Sequence, residues 1–380
     1  MKSDFKIYKP IIRGPVGKLK LNHVDWKQSV VVRTPNWLGD ALMTLPALYQ
    51  LKKVIPKNVT FDVVCPRKLA SFWQCVPWID NIISFPERRL NNEIRERMIK
   101  PLKPGVAVIM PNSFGSAKDL YMPGTIPVRL GRKGNLRGPL LTHRLPQFVR
   151  KKGKDTHHQV SEYFDLIEPF GRVERTVNFP ALNVDVLFSD SFAFEMQFLL
   201  DVEEEGRPIL VMAPGAAFGP SKQWPISNYT EVAKSWTAGG GAVLIIGTES
   251  ERVLGNLIAE SCGHVYNLAG QTDLKELVAI LQMADVCLCN DSGAMHLAAA
   301  CGAKGVAIFG STSPIATGPI GGTWVIAQHH MPCSPCLERE CPLQVNKYRC
   351  LTSIRSEDVY EALCDLMIYS LADKNAAPSF

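Results

Sequence analysis

The stretch ADVCLCNDSGAMHLAAACGAKGVAIFGSTSP, residues 284–314, decides the fold class. Two short apolar runs, 284–289 and 306–309, each end in a loop of small polar residues, and a helix-like apolar segment lies between them. Strand, tight loop, helix and strand in that order form the βαβ unit of a parallel sheet. The sequence therefore predicts an α/β fold whose loops leave the carboxyl ends of the strands, where open α/β sheets bind ligands.

Both loops carry groups that suit an anion. The first loop opens a helix, whose free N–H groups and positive dipole end favour phosphate. Each residue also has a structural alternative, because Asp291 and Ser292 are good N-caps, Gly293 permits a tight turn and His296 could be a satisfied core histidine. Two such loops at one sheet edge favour the binding interpretation. The candidate anion-binding residues are Asp291, Ser292, Gly293, His296, Gly310, Ser311 and Thr312.

Length and composition bound the class of protein. The 380 residues give room for two domains of common size, and a chain that is 46% hydrophobic and 21% charged is ordinary for a globular protein. A net charge of +6 is too mild to indicate a nucleic-acid binder. No apolar run reaches the length of a membrane span, and the N-terminus lacks the features of a signal peptide. Eleven cysteines in that setting favour cytosolic thiols or metal ligands over disulfides.

The first half of the chain contains one candidate base. Residues 30–32 begin a strand, and a loop at 33–40 leads into a helix that we expect to be kinked or to start late because of Pro46. Asp40 ends this loop, where a carboxylate can accept a proton from a substrate hydroxyl. The alternative, a helix cap or a turn partner for Gly39, stays open.

Residues 129–158 are rich in Lys, Arg and His and contain one acid, Asp155. We interpret this segment as a mobile basic lip for an anionic substrate or an anionic membrane surface. A solvated loop is the alternative, and the scarcity of aromatic residues argues against stacking on single-stranded nucleic acid. The candidate acceptor-binding residues are Arg129, Arg132, Lys133, Arg137, Arg144 and Lys151.

The βα alternation restarts at residues 208–213, followed by a Gly- and Pro-rich loop at 214–225. Glycines such as Gly215 let the backbone approach a phosphate, and Lys222 supplies a point charge for it, although a plain surface lysine is the alternative. Glu249 follows the next strand and could accept from ribose hydroxyls, as in dinucleotide folds, or be a first-turn acid that the helix dipole favours. The chain lacks a GxGxxG fingerprint after a strand and a P-loop, which disfavours nicotinamide dehydrogenases and nucleoside triphosphatases.

Three motifs support a family resemblance. RTPNWLGDALMTLPAL at 33–48, PGAAFGPSKQWP at 214–225, and NDSGAMHLAAACG with FGSTSP at 290–314 resemble the heptosyltransferases of glycosyltransferase family nine, most closely the heptosyltransferase II branch. The resemblance extends from about residue 30 to residue 355. It implies a GT-B fold, in which two Rossmann-like domains face each other across a cleft.

The resemblance also implies an activity, the inverting transfer of heptose from ADP-heptose to the heptose/Kdo inner core of lipopolysaccharide, with no divalent metal required for the chemistry. By the same likeness, Asp40 matches the general base, Lys222 the lysine near the diphosphate, and the two small-residue loops the donor site. The expected partners are ADP-heptose, the lipopolysaccharide acceptor and an anionic membrane surface, without nucleic acid. The expected location is cytoplasmic, on the inner face of the inner membrane. The alternatives are another GT-B transferase or epimerase with a different nucleotide sugar, and a non-catalytic metal-binding scaffold.

We expect four segments along the chain. Residues 1–28 form an N-terminal extension that packs on, or trails from, the first domain; residues 29–190 form a Rossmann-like acceptor domain; and residues 191–355 form a Rossmann-like nucleotide-sugar domain. Residues 356–380 form a last helix and tail, which we expect to return to the first domain, as in GT-B folds.

The C-terminal part carries a second signal, the pattern C-x2-C-x4-C-x8-C formed by Cys333, Cys336, Cys341 and Cys350. This spacing could hold a tetrahedral structural zinc or, less favourably, an iron–sulfur cluster. The alternative is four thiols in a loop that closes over the donor site.

Overall fold

The computed structural model describes residues 6–16, 19–21, 23–86, 89–148, 155–183, 202 and 205–376, with side chains in the last helix up to 368. The chain divides into two compact units. The N-terminal unit comprises 11–151 and 157–183, and the C-terminal unit comprises 1–10, 152–156 and 184–380. The domain boundary expected at residue 190 lies outside the described residues.

The N-terminal unit contains a six-stranded parallel sheet in the order β3-β2-β1-β4-β5-β6. Its strands are β1 (Ser29–Arg33), β2 (Thr60–Pro66), β3 (Asn81–Phe85), β4 (Pro104–Ile109), β5 (Val128–Arg132) and β6 (His143–Leu145). Its α-helices are α1 (Leu38–Val54), α2 (Ala70–Gln74), α3 (Asn92–Ile94), α4 (Phe114–Asp119) and α5 (Val160–Ile167).

The sequence of β1 explains its central place. Every residue of SVVVR is buried, as in the apolar strands of parallel sheets that are covered on both faces. The helix after it begins at Leu38 and includes Pro46 in its interior, so the expectation of a late start was wrong.

Strands β5 and β6 lie inside the segment that we interpreted as a mobile basic lip. The interpretation missed β5 because its sequence, VRLGR, contains two arginines and a glycine. Arg129 is nevertheless buried, since its guanidinium donates to the carbonyl oxygens of Leu140 at 2.9 Å and Ile126 at 2.5 Å. Main-chain acceptors thus allow a charged residue to occupy a buried strand.

The C-terminal unit contains a second six-stranded parallel sheet, in the order β12-β11-β10-β7-β8-β9. Its strands are β7 (Ile209–Ala213), β8 (Ala242–Ile245), β9 (Val265–Asn267), β10 (Val286–Asn290), β11 (Gly305–Phe309) and β12 (Trp324–Gln328). Its described α-helices are α6 (Ile226–Ala238), α7 (Arg252–Ala259), α8 (Leu274–Met283), α9 (Gly293–Ala300), α10 (Pro314–Thr317), α11 (Arg349–Thr352) and α12 (Ser356–Ala376).

Both sheets have the same strand order. Counted from the first strand of each unit, the order is 3-2-1-4-5-6, which is that of the Rossmann fold. The direction of the connections reverses between β1 and β4 in one unit and between β7 and β10 in the other. Ligands of open α/β sheets bind at the carboxyl ends of strands at this switch point, so each unit has one predicted binding crevice.

The described parts of both chain ends contact the C-terminal unit. Helix α12 packs on α6 and on strands β10 and β11 of that unit through Val359 and Leu363. Its expected return to the first domain stays a prediction. In the N-terminal extension, residues 11–28 belong to the N-terminal unit, where Lys27 pairs with Pro104. Residues 6–10 belong to the C-terminal unit, where Ile7 pairs with Val325 of β12.

Among the described helices, none is long and apolar enough to cross a bilayer.

Candidate functional site

A cleft of about 400 Å³ lies at the switch point of the N-terminal unit. The loops that follow β1 and β4 form two of its walls, and the start of α5 forms a third. Asp40 lies in the first turn of α1 and lines the cleft. Other lining residues are Asn36, Trp37, Met110, Pro111, Asn112, Ser113, Arg132, Asn135, Gln159, Glu162 and Tyr163.

The carboxylate of Asp40 is oriented by an amide. Gln159 Nε2 donates to Asp40 Oδ1 at 2.9 Å and to the Tyr163 hydroxyl at 2.9 Å. The N-cap of α1 is Trp37, so the alternative reading of Asp40 as the helix cap does not apply. The sequence analysis missed Gln159 and Tyr163, although their spacing of four residues places both on one face of a helix.

A buried ion pair supports the loop after β1. Arg33 Nε lies 2.8 Å from Asp119 Oδ2, and both side chains are 2% exposed. The same guanidinium donates to Asn36 Oδ1 at 2.8 Å, within the cleft wall. Burial lowers the pKa of Arg33, and the charge of Asp119 opposes that shift. The pair therefore holds the loop that leads to Asp40, and no local pattern in the sequence marks Asp119.

Arg132 lines the cleft but is already paired. Its Nη2 donates to Asp165 Oδ2 at 2.8 Å, and Arg13 and Arg175 each approach the same carboxylate at 2.7 Å. Burial alone would raise the pKa of Asp165, but hydrogen bonds from Arg175, Arg132 and Arg13 outweigh it and lower this pKa. One buried carboxylate thus gathers three guanidinium groups beside the cleft.

The other candidates of the basic lip divide into two groups. Arg129 and Arg137 are buried, and Arg137 donates to Asn112 Oδ1 at 3.0 Å and to the carbonyl of Pro111. Burial, and then neighbouring Arg132, lowers the pKa of Arg137 to about 10. The expectation that these two guanidiniums form an open lip was wrong, because both are held by protein acceptors. Lys133 and Arg144 are exposed, whereas Lys151 lies outside the described residues.

The second site lies at the switch point of the C-terminal unit, where the loops after β7, β10 and β11 meet. Lys222 Nζ lies 2.5 Å from Asp291 Oδ2, and Thr312 Oγ1 donates to the same oxygen at 2.6 Å. The Lys222 side chain is 14% exposed and that of Asp291 4%. We call these three residues the Lys222 cluster, which brings one candidate from each predicted loop together.

His296 and Ser292 border this cluster. Burial lowers the pKa of His296 to about 4; the charge of Asp291 opposes the shift and that of Lys222 adds to it. The imidazole is therefore neutral at physiological pH. Ser292 Oγ, at the N-terminus of α9, is buried and has no hydrogen-bond partner among the described residues. Buried hydroxyls are rarely left unpaired, so an oxygen-bearing ligand would complete this one.

Gly215 and Glu249 lie in neighbouring loops of the same unit. A Cβ at Gly215 would lie 1.8 Å from Glu251 Oε1, so a side chain does not fit there. Glu251 forms the capping box with Thr248. Glu249 is 71% exposed and lies 3.3 Å from Arg252, so the structure places it as a first-turn acid at the surface.

The segment 331–350, which contains the four cysteines, lies against the loops of the Lys222 cluster. Leu337 N donates to Ser311 O at 2.8 Å, and Ser221 N donates to Arg339 O at 3.2 Å. A Cβ at Gly310 would lie 3.3 Å from Cys350 Sγ. The alternative reading, a thiol-bearing loop over the donor site, therefore agrees with the geometry.

The four thiols are neighbours in the folded chain. Burial raises the pKa of Cys350 to about 11, and the nearby thiols of Cys336, Cys333 and Cys341 add to the shift. Within the described part of the chain, no group of three or more His, Cys, Asp or Glu side chains is arranged to hold a metal ion. Zinc binding by these four thiols stays a prediction.

Two Rossmann-like units, one with a carboxylate in its crevice and the other with the Lys222 cluster, are the arrangement expected of a glycosyltransferase of the GT-B class. A family model for glycosyltransferase family 9 (heptosyltransferase) matches residues 95–347. The chain belongs to glycosyltransferase family 9, and it is a transferase.

Individual relatives agree with this assignment. The chain is 30% identical to lipopolysaccharide heptosyltransferase 2 of Salmonella typhimurium, over 77% of this chain and 85% of that one. It is 26% identical to lipooligosaccharide heptosyltransferase 2 of Campylobacter jejuni, over 88% and 98% of the two chains. The solved ADP-heptose lipopolysaccharide heptosyltransferase II of Escherichia coli superimposes with a TM-score of 0.72, at 26% identity, and covers 90% of this chain and 99% of its own.

Proposed function

We propose that this protein transfers heptose from ADP-heptose to the heptose-bearing inner core of lipopolysaccharide, with inversion at the anomeric carbon. The names of its heptosyltransferase 2 relatives and of the E. coli structure support both substrates. The observation that carries the proposal is the Lys222 cluster beside the unpartnered hydroxyl of Ser292. A cation, a helix N-terminus and an unused donor at one crevice suit a sugar diphosphate.

On the donor side, negative charge builds on the diphosphate as its bond to the anomeric carbon breaks. Lys222 and the N–H groups at the start of α9 would stabilise that charge, because they are in place before the reaction begins. Asp291 holds Lys222 in position through their ion pair. His296 is neutral and therefore contributes no positive charge to the site. Since these groups supply the positive charge, the proposed chemistry requires no divalent metal.

On the acceptor side, Asp40 would remove the proton from the attacking hydroxyl as the new glycosidic bond forms. Gln159 fixes the orientation of this carboxylate within the cleft. Attack by the hydroxyl on the face opposite the leaving diphosphate inverts the anomeric configuration. Because the acceptor is lipid-linked, we also propose that the enzyme works on the cytoplasmic side of the inner membrane, at its surface.

The test is transfer from ADP-heptose to a heptose-bearing lipid A core by the wild type and the variants Asp40→Asn and Lys222→Met. We expect Asp40→Asn to lower kcat about 10²- to 10⁴-fold, the usual contribution of a general base, while ADP affinity is retained. Lys222→Met should weaken ADP binding as well. The control is Glu93→Gln, an exposed carboxylate of the same unit, which should leave kcat unchanged.

The proposal has two points of failure. If the wild type makes no product but binds a different nucleotide sugar, the heptose donor is wrong and the site remains. If Asp40→Asn turns over at the wild-type rate, Asp40 is not the base.

A further inference from the structure

We propose that the N-terminal unit docks on an anionic lipid bilayer through the carboxyl edge of its sheet, with Phe114 and Leu136 entering the interface beside Trp37. The inference rests on the proposed function, because a lipid-linked acceptor must place its sugar in the cleft at this edge. It differs from the basic lip that the sequence suggested, because the buried arginines of that segment do not reach the surface.

The topology gathers the docking side chains at one edge. Strands β1, β2, β4 and β5 are parallel neighbours, so the loops that follow them all leave the same edge of the sheet. These loops are 34–37, 67–69, 110–113 and 133–137. We call them the edge loops, together with α4, which continues the third of them.

Three large apolar side chains are exposed on the edge loops and α4. Trp37 is 61% exposed, Phe114 42% and Leu136 89%. Trp37 lines the cleft, while Phe114 and Leu136 directly follow the lining residues Ser113 and Asn135. Large exposed apolar groups clustered around one opening mark an interaction surface, and tryptophan is favoured where water meets lipid.

The charge on the edge loops suits anionic headgroups. Residues 34–37, 67–69, 110–119 and 133–137 contain one acid, Asp119, which is buried and paired with Arg33. The same stretches expose Arg67, Lys68, Lys118 and Lys133. Lys68 Nζ lies 4.7 Å from the ring centre of Trp37, so one cation accompanies the exposed aromatic group. Lysine and arginine near an anionic leaflet add electrostatic attraction to apolar insertion.

The edge loops are held by their neighbours. Buried Arg137 donates to the carbonyl of Pro111 and to Asn112 Oδ1, and Asn135 Nδ2 donates to Asn112 O at 2.5 Å. Leu136 has a φ of 57°, a left-handed backbone that leucine rarely adopts. The loop therefore holds the side chain of Leu136 in water although its backbone conformation is unfavourable. Such backbone strain is typical of sites that bind a partner.

The experiment is co-sedimentation of the full chain with phosphatidylcholine vesicles, with and without phosphatidylglycerol. We expect the wild type to bind the anionic vesicles, and the double variant Phe114→Ser/Leu136→Ser to bind at least tenfold more weakly. The single variant Lys68→Glu should also weaken binding, most clearly at low salt. The matched control is Val253→Ser/Leu257→Ser, which removes two apolar side chains, 68% and 51% exposed, from α7 of the C-terminal unit.

A second readout separates docking from chemistry. With a water-soluble, deacylated acceptor and no vesicles, Phe114→Ser/Leu136→Ser should transfer heptose at the wild-type rate. With the lipid-linked acceptor in vesicles, its rate should fall with its binding. The docking proposal is wrong if the wild type does not bind anionic vesicles. It is also wrong if Phe114→Ser/Leu136→Ser and the control Val253→Ser/Leu257→Ser bind them equally well. If wild type leaves the soluble acceptor unmodified, the proposed function fails, and the vesicle result still decides docking.

Discussion

His296 shows how one buried residue sets a dependence on pH. In the unfolded chain this imidazole binds a proton below pH 6.5. In the folded protein, burial lowers the pKa of His296 to about 4. Between these values the unfolded state holds more protons, so acid favours unfolding. The difference between these two pKa values lowers the free energy of unfolding at pH 4 by at most roughly 3 kcal/mol, relative to neutral pH.

We therefore expect His296→Gln to flatten the fall in stability between pH 6.5 and pH 4, measured as the urea midpoint of unfolding at each pH. His330→Gln, at an exposed histidine, is the control and should keep the wild-type slope. An unchanged slope in His296→Gln would show that folding does not lower the pKa of this imidazole.

Whether a site residue could be predicted depends on how far away in the sequence its partners lie. Asp40, Lys222, Asp291 and Thr312 could be selected from the sequence, because each lies between an apolar strand and the end of the first turn of the helix that follows it. Gln159 was not predictable, since its contact with Asp40 spans 119 positions and nothing local marks it. The same holds for buried ion pairs such as Arg33 with Asp119. Local pattern identifies loops at a sheet edge, and only the folded chain shows which side chains meet there.

At the scale of elements, central apolar strands of each sheet were predicted, and some charged or edge strands were missed. The runs that became β1, β7, β10 and β11 are buried apolar segments bounded by polar loops, which is the signal of a parallel sheet. Strand β5 carries Arg129, which donates to carbonyl oxygens, and Arg132, which pairs with Asp165. Such pairing leaves no mark in the hydrophobic pattern. Strand β12 was missed as well. The fold class therefore followed from the central strands of each sheet.

The segment 331–350 gives a prediction about reactivity. Alkylation requires the thiolate, and a pKa of about 11 leaves little of it on Cys350 at neutral pH, whereas Cys333 is exposed. We expect iodoacetamide at pH 7.5, without denaturant, to modify Cys333 many-fold faster than Cys350, as measured by mass spectrometry of peptides. Urea-unfolded protein is the control and should show similar rates at both positions.

The same alkylation experiment tests whether the four thiols bind the predicted zinc. A tetrahedral metal site would protect all four thiols together, and a chelator would expose them together. Such behaviour, with zinc present in protein purified without chelator, would show that the thiols rearrange around an ion.

At the scale of the whole molecule, each unit has its own sheet and its own buried core. The Lys222 cluster lies wholly within the C-terminal unit. We therefore expect ADP to slow amide hydrogen exchange most strongly in residues 214–223, 290–296 and 310–313, because a ligand protects the backbone that it contacts. Lys222→Met should lose this protection at the same ADP concentration. Equal protection of loops 34–37 and 110–113 would place the nucleotide elsewhere.

The pairing of Tyr8 also bears on how the protein is made. Its hydroxyl donates to Pro314 O across 306 positions of the chain, and its backbone N–H donates to Trp324 O at the edge of the second sheet. On a ribosome that adds about 5–20 residues per second, Tyr8 is synthesised roughly tens of seconds before Pro314 and Trp324. During that interval the segment around Tyr8 lacks the strand edge with which it pairs in the folded protein. It can join the C-terminal unit only after β12 has been made.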